Sequence, residues 1–319
     1  WTYSQDIGGA VVLTKNKTAV PEWNRWKDRA VKKAIWPLCR FAILFGICFL
    51  LVYPLLFMFT SAFRSREDMW NPSVVWITRH FTLEHIHTLI DIIHYPTALK
   101  NTLLISVGSA LLQTVVCSLV GYGFARFAFK GKGLLFAVVI LTIVIPPQAV
   151  TISNFMQFKQ MGILDTPLAF YLPALTANGI RSGLFIFIFR QFFRGMPVEI
   201  EDAAYVDGCG PVRTFLRIML PNALSPVLIV FLFSLVWYWN DTFFSGMYLD
   251  QFKTLSVTLE VLKNNLGVML PGLQADQFTI SAYLQAGVLL IVAPVLLIYI
   301  LLFHYVTLLR LPAKYIIPE

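Results

Sequence analysis

The sequence predicts an all-α membrane protein, a polytopic bundle of about six transmembrane helices. Three observations predict it. The 319 residues are 57% hydrophobic and only 13% charged, whereas soluble domains carry about 25% charged residues. Apolar stretches recur near residues 41–63, 101–124, 134–153, 168–190, 222–243 and 280–303, and a helix needs about 20 such residues to cross the hydrocarbon core. Lys and Arg are segregated: 17 of the 25 fall in segments 1–40, 125–133, 190–220 and 304–319, against six in the alternate loops. The positive-inside rule then places both termini and the 196–221 interval in the cytoplasm. The same distribution explains the net charge of +8 as topology, without nucleic acid as a partner.

In chain order, residues 1–20 are polar and show no signal-peptide pattern. Residues 1–40 read as a cytoplasmic tail. Within it, Trp23, Trp26, Ala30 and Ala34 recur at helical spacing among Arg25, Lys27, Arg29, Lys32 and Lys33, as suits an amphipathic helix at a membrane surface. Residues 41–303 read as one transmembrane domain and 304–319 as a second cytoplasmic tail. The stretch 41–63 carries no charge. Pro146-Pro147 breaks the third span, and Asn178-Gly179-Ile180-Arg181-Ser182-Gly183 interrupts the fourth. Such breaks survive in a membrane only where protein or a wet cavity satisfies the freed backbone. The four cysteines, Cys39, Cys48, Cys117 and Cys209, form no CxxC pair and read as small apolar residues.

Between the fourth and fifth spans lies the one long charged interval of the second half, Met196 to Pro221. Pro197 suits a first helical turn, and Glu199, Glu201 and Asp202 crowd the positive end of the helix dipole. Gly208 and Gly210 stop that helix. Pro211 starts a second, with Phe215, Ile218 and Met219 as its apolar stripe, and Pro221 ends it. The predicted unit is a hairpin of two short helices, with Gly208 at positive φ. The adjacent alanines Ala203 and Ala204 leave room for a close-packed partner, with Glu201 and Asp202 at the rim.

The spacing is Asp202-Ala203-Ala204, three residues, Gly208, nine residues, then Ile218-Met219-Leu220-Pro221. It resembles the coupling loop of bacterial ABC importer permeases (EAA, three residues, G, nine residues, I-x-LP), with Asp in place of the usual Glu. Ile163-Leu-Asp-Thr-Pro167, the run from Phe185 to Pro197, Trp239-Asn240-Asp241 and Thr254-Leu-Ser-Val-Thr258 extend the resemblance over roughly residues 35–305. They resemble carbohydrate-type permeases, nearest to a six-span partner in a maltose-type heterodimer. The resemblance implies a type I importer permease fold in the bacterial inner membrane. It also implies a second permease subunit, two ATPase subunits that bind ATP and Mg, and an extracytoplasmic solute-binding protein. Glu201, Asp202, Ala203, Ala204, Tyr205, Gly208, Ile218, Leu220 and Pro221 are then the ATPase-coupling residues. The tail departs from the family in having no glycine from Leu308 to Glu319.

The chain itself carries no recognisable enzyme chemistry. It lacks a Walker A motif, GxSxG and HExxH, so an ATP-driven role requires a separate ATPase. His80, His85, His87 and His94 lie near Glu84 and Asp91, but their irregular spacing reads as an ordinary solvated loop, with no metal site. Polar residues within spans face a bundle interior or a cavity, which makes Gln113, Asn178, Arg181, Trp237, Trp239, Asn240 and Gln285 candidates for a substrate path. The run Trp237-Tyr238-Trp239-Asn240 fits a sugar-holding surface and an interfacial aromatic belt equally well. The functional expectation is a sugar or oligosaccharide importer permease. The alternatives are a permease for a peptide, phosphate or amino acid, and a membrane enzyme or channel in which the hairpin is structural only.

Overall fold

A computed structural model describes residues 22–71, 78–269 and 277–310. The described residues up to Phe57 form one unit and those from Met58 another. The elements in order are α1 (Glu22–Ala62), α2 (Arg66–Trp70), α3 (Glu84–Ile92), α4 (Tyr95–Arg126), α5 (Lys132–Val144), α6 (Thr151–Met161), α7 (Leu168–Leu175) and α8 (Ser182–Gly195). There follow α9 (Glu199–Val206), α10 (Pro211–Thr214), α11 (Leu220–Asn222), α12 (Leu224–Trp239), α13 (Phe243–Tyr248), α14 (Leu255–Met269) and α15 (Gln277–Arg310). Among the described residues there is no extended strand, and only one isolated bridge, Arg64 to Phe81.

Ile35–Ala62, α4 and Phe278–Leu302 are each long and apolar enough to span a membrane, and two bent helix pairs qualify when each is taken as one span. The first pair joins α5 to Pro147–Met161 with a 99° bend, and the second joins Pro211–Asn222 to α12 with an 80° bend. The Pro146-Pro147 break predicted in the third stretch is therefore present. Pro disfavours helical backbone in the residue before it, and Ile145 is accordingly extended. The fourth stretch, 168–190, is not one helix. Ala177 (φ 57°) and Arg181 (φ 61°) turn the chain left-handed between α7 and α8.

α1 runs unbroken through residue 40, and the side chains before Ile35 lie outside the described residues, as does the surface-helix reading of them. The glycine-free tail from residue 311 lies outside them too.

α4 is the inner helix. It buries Ser106, Ser109, Gln113, Thr114 and Ser118, small and polar residues of the kind that pack membrane helices closely. Three of its buried hydroxyls find backbone acceptors one turn back, Thr102 donating to Ala98 O, Ser106 to Thr102 O and Thr114 to Ala110 O, while Ser109 Oγ has no hydrogen-bond partner. At Gly121 the backbone of α8 comes so near that an added Cβ would meet Phe189 Cβ at 2.5 Å and Arg190 N at 3.0 Å.

Two polar clamps fasten the segment 250–255, one from the loop between α6 and α7 and one from the start of α4. Asp165 (φ 60°) accepts the backbone N–H groups of Asp250, Gln251 and Phe252 on one oxygen, at 2.9, 3.0 and 2.8 Å. On α4, Asn101 donates to Lys253 O at 3.1 Å and Thr102 Oγ1 accepts from Leu255 N at 2.8 Å. Closer to α1, Asp68 accepts the backbone N–H groups of Arg79 and His80, both at 2.7 Å. Those bonds, first that of His80, hold its carboxyl below the usual carboxylate range against the opposing effect of burial.

Candidate functional site

The interval Met196 to Pro221 is a helical hairpin, as its sequence predicts. Met196 is extended ahead of Pro197, and α9 carries Glu199, Glu201 and Asp202 in its first turn. Gly208 has φ 78° and closes α9, donating to Tyr205 O at 3.0 Å, while Cys209 donates to Ala204 O at 2.9 Å. An added Cβ at Gly208 would meet nothing within 4 Å, so backbone conformation and not space demands glycine there. The second arm begins as regular α-helix over α10. It widens into a π-helical turn at Phe215–Met219, in which Leu220 N bonds Phe215 O five residues back.

The hairpin has an inner and an outer side. Phe215 and Met219 are buried in an aromatic cluster with Tyr122, Phe189 and Phe193. Glu201 and Ala204 also point inward, each under 5% exposed. This corrects the expectation that both would meet a partner: they lie about one helical turn apart on the face of α9 that its own chain covers. Asp202, Ala203 and Tyr205 face outward. Val206, one turn on from Asp202 and Ala203, is 86% exposed, and Val212 in α10 is 71% exposed. Ile218 and Leu220 are half-buried, and Pro221 is exposed.

Glu201 is the most heavily coordinated group of the hairpin. Tyr122 donates a hydrogen bond to Glu201 Oε1, and Tyr205 donates to the same oxygen at 3.3 Å. Arg126 Nε lies 3.0 Å from Oε2, with both side chains under 10% exposed. Arg126 Nη2 also donates to Met196 O at 2.8 Å. Sequence reasoning missed Tyr122 and Arg126. Their signal is an aromatic and a cation four residues apart at the end of an apolar stretch.

The candidate path residues separate into packing and cavity groups. Gln113 is fully buried near the middle of α4, where its amide donates to Ile180 O at 2.7 Å and Ser182 Oγ at 2.9 Å. Its carbonyl accepts from Ser234 at 2.8 Å. It thereby holds the turn between α7 and α8 and satisfies a broken backbone, as membrane burial requires. Trp239 is fully buried and donates to Ile291 O on α15 at 3.1 Å. Asn240 is exposed and bonds Val236 O. Gln285 is half-buried on α15. Four consecutive helical residues point about 100° apart, so the run from Trp237 to Asn240 cannot line one wall.

Asn178 and Arg181 do line a cavity of about 430 Å³, together with Asn154, Thr142, Tyr238 and Tyr248. Tyr238 also accepts Ile180 N at 3.2 Å. The Arg181 guanidinium sits 5.3 Å from the Trp237 ring centre, and Trp237 in turn stacks on Phe185 at 5.6 Å. Among the described residues no three His, Cys, Asp or Glu side chains are placed to share a metal ion.

Residues 117–310 match the family described as binding-protein-dependent transport system inner membrane component. The chain belongs to this family. That span holds the end of α4, the hairpin and α12, and it bears out the resemblance drawn from the hairpin spacing. The osmoprotective compounds uptake permease protein GgtD of Synechocystis is 27% identical over 256 residues, 78% of this chain and 85% of its own length. The lactose transport system permease protein LacG of Rhizobium radiobacter is 28% identical over 231 residues, 72% and 82% of the two chains. The diacetylchitobiose uptake system permease protein DasC of Streptomyces coelicolor is 27% identical over 217 residues, 67% and 75%. A crystal structure of a bacterial ABC transporter involved in the import of the acidic polysaccharide alginate shares the fold. Its TM-score is 0.71 at 16% identity, over 86% of this chain and 97% of that one.

Proposed function

We propose that this permease forms part of the path for a sugar or oligosaccharide and couples to separate ATPase subunits through the outer side of its hairpin. The observation that carries the coupling is the two-sided build of α9: Glu201 and Ala204 anchor it to the bundle, and Asp202, Ala203, Tyr205 and Val206 are exposed on the other side. The partners are a second permease subunit, two ATPase subunits holding ATP and Mg, and an external solute-binding protein. Both termini and the hairpin lie in the cytoplasm, on the side rich in Lys and Arg. The saccharide class is supported by relatives that carry lactose and diacetylchitobiose and by a cavity that mixes aromatic rings with amide and guanidinium groups.

The coupling test is co-purification of the ATPase. Ala203→Trp is expected to abolish ATPase recovery at normal permease levels, and full recovery would remove this face from the interface. The substrate test is a binding screen of mono- and oligosaccharides on the cognate solute-binding protein. Binding of only peptides, phosphate or amino acids would overturn the carbohydrate assignment.

A further inference from the structure

We propose that Arg126 and Tyr122 are positioning residues that lock the hairpin onto α4, making α4 the rod that carries hairpin displacement to the mid-membrane turn. The proposal rests on the coupling reading above and adds to it the route inside this chain.

The last turn of α4 grips the hairpin on three sides. Arg126 holds the entry to the hairpin through Met196 O at 2.8 Å and its first helix through Glu201 at 3.0 Å. Tyr122 bonds Glu201 and packs its ring against Phe193 before the hairpin and Phe215 in its second arm, at 5.5 and 5.0 Å. A purely apolar contact would let the helices slide past one another. A buried carboxylate must instead follow its guanidinium, because an unpaired charge is intolerable there, and a network of polar groups fixes one geometry.

Thirteen positions up the helix from Arg126, roughly 20 Å at 1.5 Å per residue, α4 makes its second polar grip. There Gln113 holds Ile180, Ser182 and Ser234. The turn so held presents Asn178 and Arg181 to the cavity. One continuous helix thus joins the hairpin to the cavity wall by side-chain bonds at both ends, a contiguous connection along which displacement can be carried.

The test uses the transporter purified with its partner subunits, its four native cysteines replaced and Asn178→Cys introduced as a reporter. A water-soluble maleimide is applied with and without ATP, Mg and vanadate. With the grip intact, nucleotide trapping is expected to change the labelling rate several-fold. Arg126→Ala and Glu201→Ala should each bring that ratio close to one while the ATPase stays bound. The double variant should do no more than either single one, since both act through one contact. Arg126→Lys, which keeps the charge but loses the two-point grip, should respond in between. Loss of the ATPase with Arg126→Ala but not with Arg126→Lys would also support positioning, in stronger form. A full nucleotide response in Arg126→Ala or Glu201→Ala overturns the proposal and leaves the coupling reading standing. Absence of bound ATPase from the unsubstituted complex would instead count against the coupling reading.

Discussion

At the scale of single residues, the hairpin depends on one backbone conformation. Gly208 sits at φ 78° with open space around it, so a substitution there acts through strain alone. The left-handed region costs an ordinary residue about 1–2 kcal/mol, and Asn less. Gly208→Asn is expected to keep ATPase recovery and transport near normal, whereas Gly208→Val should insert normally and lose transport relative to ATP hydrolysis. Equal behaviour of the two variants would refute the strain argument. Asp68 supplies a pH dependence. Its carboxyl is lowered in the folded state by the His80 and Arg79 N–H groups. It therefore adds stability above the unfolded carboxylate value of about 3.9, and that contribution disappears as pH falls through the lower folded value. Hydrogen exchange at Arg79 and His80 should stay protected at neutral pH and rise in strong acid, and Asp68→Asn should remove the pH dependence.

At the scale of elements, helix contact is set by where a side chain is absent. An added Cβ at Gly121 meets backbone and Cβ atoms of α8, which cannot swing away, while at Gly123 the nearest atom is 4.0 Å off. Gly121→Ala should destabilise the bundle by about 1–3 kcal/mol, as overpacking does, and Gly123→Ala should not. Thermal unfolding in detergent separates them. The breaks in the helices were legible to different degrees. Pro146-Pro147 announces itself, because proline removes a donor. The turn at Thr176–Arg181 is flagged by Asn178-Gly179, yet the apolar residues on both sides make 168–190 look like one span. The hairpin was legible in its outline and its glycine. Which face of α9 turns inward was not, because Glu201 is buried by Tyr122 and Arg126, some 75 to 80 positions earlier in the chain. Likewise the packing roles of Gln113 and Trp239 depend on Ser182, Ser234 and Ile291, contacts that hydropathy does not encode.

At the scale of the whole molecule, the polar residues within the membrane divide between holding the bundle and facing its cavity, and substitution should separate the two groups. Trp239→Ala removes a fully buried ring and its bond to Ile291 O. It should cost about 3–5 kcal/mol of stability while leaving the substrate concentration for half-maximal transport unchanged in the surviving protein. Arg181→Gln loses only an exposed ring contact, worth about 0.5–1 kcal/mol, and should leave stability near normal. Because Arg181 lines the cavity, that variant should raise the half-maximal concentration. A reversed pattern, with Trp239 altering the concentration dependence and Arg181 silent, would move the path away from the cavity between α5, α8 and α12.

The π-helical turn at Phe215–Met219 bears on how this chain can change over evolutionary time. A π turn amounts to one residue inserted into an α-helix, and here it begins inside the nine-residue interval between Gly208 and Ile218 and runs two residues past it, to Met219. Deleting a residue there would close the wide turn into regular helix, leaving Phe215 and Met219 three positions apart and still on one face. A residue gained or lost in α10, outside the wide turn, would instead rotate the chain beyond it by about 100°, and Phe215 and Met219 would no longer face the same cluster. Surface loops elsewhere can gain or lose residues without such consequences. The part of the interval ahead of the wide turn behaves as a fixed length, in which the residue count matters as much as the residue types.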